Sequence, residues 1–75
     1  MTKPVDLRSM RSPRSIVQIA KIVSKSSPGE TISFLIGDKE SIDDLYEWIR
    51  RTGHVLRSVS EKGGYWIVQI TKKEG

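Results

Sequence analysis

The 75-residue sequence contains no cysteine and only one histidine, His54. Without cysteine there are no disulfides, no thiolate catalysis and no thiolate-held zinc or iron–sulfur cluster, and the redox compartment is left open. One histidine excludes a multi-histidine metal site, and the residues call for no cofactor. No stretch approaches the ~20 apolar residues of a membrane span, and Met1-Thr2-Lys3-Pro4 lacks the apolar core of a signal peptide. The expectation is a cytoplasmic, monomeric protein without membrane insertion. Residues 1–75 make one small domain, marginal in stability because neither disulfide nor metal supports it.

The charge present is unevenly placed. Of a net +4, residues 1–28 hold six basic side chains (Lys3, Arg8, Arg11, Arg14, Lys21 and Lys25) against Asp6, while the remainder holds seven basic and eight acidic residues. The excess surrounds the first predicted helix. A solvated face is the ordinary reason for such a run, and a patch for RNA phosphate or an acidic protein is the alternative.

Val5-Asp6-Leu7 alternates and predicts a brief edge strand. Ser12-Pro13 is a helix start, with the Ser12 hydroxyl expected as N-cap and Pro13 at the first helical position. From Pro13 to about Lys25, Ile16, Ala20 and Val23 recur at helical spacing with Val17 and Ile19 beside them. This amphipathic helix should end at Ser26-Ser27-Pro28-Gly29.

Glu30 to Ile36 alternates, with Ile32, Phe34 and Ile36 on one face, and predicts a half-buried strand. Ser41 and Asp44 form an approximate capping box. The helix they open turns Ile42, Leu45, Trp48 and Ile49 inward, carries Arg50 and Arg51 in its last turn and stops at Gly53. His54 to Ser60, a Glu61-Lys62-Gly63-Gly64 turn and Tyr65 to Thr71 predict a closing hairpin, with Trp66, Val68 and Ile70 packed under the helices. The order βαβαββ implies an α+β fold, a two-layer α/β sandwich with both helices on one face of the sheet.

A set of residues then matches a known pattern in order and spacing. Asp6-Leu7-Arg8, Pro13 opening a helix, Pro28-Gly29-Glu30 before a strand, Asp38, Asp44 and Trp48, Gly53-His54, Gly63-Gly64 and the ending Ile70-Thr71-Lys72 together resemble the SirA/TusA sulfur-carrier family. The resemblance covers nearly the whole chain. It implies a mixed four-stranded sheet in the order 1-2-4-3. It also implies a C-P-x-P motif whose cysteine carries sulfur as a persulfide, in the best known pathway toward thiolation of tRNA. Here those positions read Ser12-Pro13-Arg14-Ser15, and the glycine usual before them corresponds to Ser9.

Serine in that place lacks the sulfur nucleophile, because a hydroxyl without a general base stays un-ionised and forms no persulfide. The candidate binding residues are therefore Arg8, Arg11, Ser12, Pro13 and Arg14, with no catalytic and no metal-ligating residue. His54 reads as packing or hydrogen bonding rather than catalysis. Asp43, Asp44 and Glu47 in the first turns of a helix are accounted for by its dipole, Trp48 and Trp66 by the core, and Gly63-Gly64 by a hairpin rather than a phosphate.

The favoured function is a sulfur-carrier-fold protein that does not transfer sulfur and binds a protein partner, either of sulfur metabolism or a membrane-associated relative. One alternative is a true sulfur carrier, a sulfurtransferase of tRNA thiolation or sulfur trafficking, whose cysteine has been changed to serine. Ser9 and Ser15 also depart from the pattern, which ranks that second. A third reading is an RNA-binding module using the basic first helix, and a hydrolase using Ser12 is the least favoured.

Overall fold

Alternation over Thr31–Ile36 sends Ile32, Phe34 and Ile36 to one side of a strand, and all three are buried. The computed structural model describes residues 3–74 and arranges them as β1 (Val5–Leu7), α1 (Arg14–Lys25), β2 (Thr31–Ile36), α2 (Lys39–Thr52), β3 (Val55–Glu61) and β4 (Trp66–Thr71). The sheet has the order β1-β2-β4-β3. β1 runs parallel to β2, with Val5 opposite Phe34 and Leu7 opposite Ile36, and β4 lies antiparallel to both β2 and β3. This is the mixed α+β sandwich that the sequence and its resemblance implied.

The core is one layer of side chains between sheet and helices. Leu7, Ile32, Phe34, Ile36, Val68 and Ile70 come up from the strands, and Ile19, Val23, Ile42 and Leu45 come down from the helices. In β4, Val68 and Ile70 are fully covered while Trp66 is half-buried at the margin. The opposite face of the sheet is polar and self-satisfied along one row, where Ser58 donates to Gln69 and Gln69 donates to Ser33. Among the described residues, no helix is long and apolar enough to cross a membrane.

Four expectations need correction. The buried stripe of α1 is Ser15, Ile19 and Val23 rather than Ile16, Ala20 and Val23; Ala20 and Ile16 are half-buried, and Val17 is 51% exposed. The Ser15 hydroxyl lies 2.5 Å from that of Ser41 in a fully buried pair, so a polar side chain occupies part of the helix's inner face, which apolar periodicity does not register. Ser12 is not an N-cap. Pro13 occupies that position without a side-chain cap bond, and the Ser12 hydroxyl donates instead to the carboxylate of Asp44.

Nor is α2 opened by a Ser41/Asp44 box. Asp38 is the cap, its carboxylate accepting the Ser41 N–H at 3.1 Å and the Ser41 hydroxyl at 2.6 Å, so the helix starts at Lys39. Gly53, at φ 83°, ends it as expected. Finally, β3 runs on through Glu61, and the turn shifts to Lys62-Gly63-Gly64-Tyr65, closed by the Lys62 N–H on the Tyr65 carbonyl at 2.8 Å.

One contact places the site. At Gly37 a Cβ would stand 2.5 Å from the Arg8 carbonyl oxygen, so the segment after β2 presses directly on the segment after β1. Only a residue without a side chain allows that approach. It brings the run-up to α1 beside the start of α2.

Candidate functional site

Between the helices lies a groove of about 240 Å³, lined by Ser12, Pro13 and Ile16 from the α1 side and by Asp44, Glu47, Trp48 and Arg51 from α2. The four α2 residues fall at i, i+3, i+4 and i+7, one face of a helix. That spacing was available in the sequence. It does not announce a groove, because each residue has a sufficient local reason: the dipole for Asp44 and Glu47, the core for Trp48 and the helix C-terminus for Arg51.

Both carboxylates of the groove have partners. Asp44 accepts the Ser12 hydroxyl. Glu47 accepts from Arg50 at 2.5 Å and lies 3.5 Å from Arg51, and the Arg50 guanidinium holds its carboxyl below the usual carboxylate range. Beneath the groove, the chain Ser15–Ser41–Asp38 ties the first turn of α1 to the first turn of α2.

The five expected binding residues do not all gather here. Ser12 and Pro13 line the groove, and Arg11 and Arg14 stand exposed on either side of them. Ser12-Pro13 is a cis peptide. Arg8 turns away: its guanidinium pairs with Asp6 at 2.8 Å and sits 5.1 Å from the centre of the Tyr65 ring. That side-chain hydrogen bond pulls the Asp6 carboxyl down to about 2.

His54 behaves as a structural residue. Its Nδ1 accepts the Lys73 N–H at 3.0 Å, and its ring lies 5.3 Å from that of Trp48. Burial first, then Lys73 and Lys72, pushes its imidazole below the ordinary value. Among the described residues, no group of three or more histidine, aspartate or glutamate side chains is placed to hold a metal ion.

A family model described as sulfurtransferase TusA matches residues 3–72. The chain belongs to the TusA family. A candidate sulfur carrier protein of Archaeoglobus fulgidus is 29% identical over 68 residues, covering 91% of this chain and 93% of that protein. Two candidate sulfur carrier proteins of Neisseria meningitidis, from serogroups A and B, are each 25% identical over 72 residues, covering 96% of this chain and 97% of theirs. This TusA-family protein is thus sulfur-carrier-like in fold and sequence, and it has no cysteine.

Proposed function

We propose that this protein has left sulfur transfer and acts as a partner-binding module, docking through the opening turn of α1 and the groove beside it. The observation that carries the reading is Ser12. It stands where the resemblance to the family puts the persulfide cysteine, and its hydroxyl is committed to Asp44. A persulfide needs a thiol sulfur at that position, so no choice of acceptor for the hydroxyl proton restores it.

Ser15 supports inherited divergence over a single replaced cysteine. It stands at the motif's second proline, is fully buried, and is bonded to Ser41 and through it to Asp38. A site altered at one atom would not carry a second departure built into the interior.

The test is incubation with a persulfide donor followed by intact mass measurement. The protein is expected to gain no sulfur, while Ser12→Cys gains one sulfur atom on the inherited scaffold. Uptake of sulfur by the unaltered chain would overturn the proposal.

A further inference from the structure

α1 bears Arg14, Lys21 and Lys25 and no acidic residue. With Val17 they fall at i, i+3, i+7 and i+11, a single stripe about 16 Å long on the exposed side of the helix, and Arg11 stands just before it. All four cations are exposed, and among the described residues none of them enters an ion pair, whereas Arg8, Lys39, Arg50 and Arg51 all do. Val17 lies amid these charges, 51% exposed. The stripe is cationic, uncompensated and apolar at one point.

Two other surfaces of the described residues are weaker candidates. The groove's two carboxylates bond Ser12, Arg50 and Arg51, and among the described residues no cluster is placed to hold a metal ion. The outer face of the sheet satisfies its own polar groups from Ser58 through Gln69 to Ser33.

We propose that Arg11, Arg14, Val17, Lys21 and Lys25 form the docking surface for an acidic protein segment, whose carboxylates meet the cations while an apolar side chain covers Val17. This rests on the partner-binding reading above and gives that partner its chemistry. It also extends the surface two turns beyond the opening of α1. Nucleic acid fits less well, because the stripe holds no aromatic side chain on which a base would stack. An anionic membrane fits less well too, because Ile19 and Val23, the apolar side of α1, are spent in the core and leave Val17 as the stripe's only apolar residue.

The probe is a fluorescein-labelled peptide of glutamate and alanine with one central leucine, titrated by anisotropy at low and high salt. Poly-uridine and vesicles containing phosphatidylserine are titrated in parallel. Peptide binding is expected to fall with salt, to weaken about tenfold or more in Lys21→Glu/Lys25→Glu, and to weaken in Val17→Ser. Lys62→Glu/Lys73→Glu, the same change of net charge off the stripe, is expected to weaken it far less, with circular dichroism confirming that every variant is folded.

Equal losses in the two double variants, no peptide binding at low salt, or tighter binding of poly-uridine or vesicles would each overturn the proposal. Loss with Arg14→Glu and none with the Lys21/Lys25 pair would overturn it too, while leaving docking at the opening turn standing. Sulfur uptake by the unaltered chain would instead sink the reading beneath it.

Discussion

Ser12 and Asp44, 32 residues apart, meet across the helix–helix groove with the serine hydroxyl donating to the carboxylate. The bond closes a loop that contains all of α1 and β2, and it fixes the position where sequence resemblance puts the family's reactive atom. Each partner is reachable by solvent, so the bond's net worth is modest. A double-mutant cycle on Ser12→Ala and Asp44→Ala, read by urea unfolding, is expected to give a coupling of about 1 kcal/mol. Additive single effects would show that the two groups meet without stabilising the fold.

The buried hydroxyl pair beneath that bond has larger consequences. Ser15 and Ser41 are fully covered, and Ser41 also donates to the capping carboxylate of Asp38. Ser41→Ala leaves the Ser15 hydroxyl in the interior without its partner and strips the cap of one bond, so it is expected to cost about 1–3 kcal/mol in urea unfolding. A loss below a few tenths of a kcal/mol would mean that the pair is solvated.

Gly37 tests the close approach of the two loops that hold the site. An alanine there places its Cβ against the Arg8 carbonyl, a backbone atom that cannot swing aside. Gly37→Ala is expected to destabilise by about 1–3 kcal/mol and to displace the segment from Arg8 to Ser12. The amide chemical shifts of that segment would record the displacement, and their remaining in place would refute it.

The strands and the second helix were legible because their signals are local and apolar. Ile32, Phe34 and Ile36 announce β2 by alternation, and Gly53 announces the end of α2 by being the residue that tolerates a positive φ. What escaped was polar and long-range. Nothing near Ser15 in the sequence says that it will be buried against Ser41, so apolar spacing alone misplaces the inner face of α1. Likewise Ser12 satisfies every local rule for an N-cap, yet its acceptor comes from another helix. The candidate site is half legible: the family pattern marks its α1 side, whereas on its α2 side, Asp44 to Arg51, each residue has a sufficient local reason and none points to a groove.

His54 makes the chain's stability respond to pH near neutrality. Its Nδ1 must be unprotonated to accept the Lys73 N–H, and burial together with Lys73 and Lys72 lowers its folded value below the ordinary 6.5. The unfolded chain therefore binds this proton more readily than the folded one. The stabilisation is complete above 6.5, declines as pH falls from there through the folded value, and is constant below it. Urea midpoints between about pH 8 and pH 5 are expected to drop for the unaltered protein by more than for His54→Asn, whose side-chain carbonyl can still accept from Lys73 but does not titrate. Parallel curves for the two proteins would mean that the histidine takes its proton equally in both states, and the opposite slope would mean that its folded value is raised.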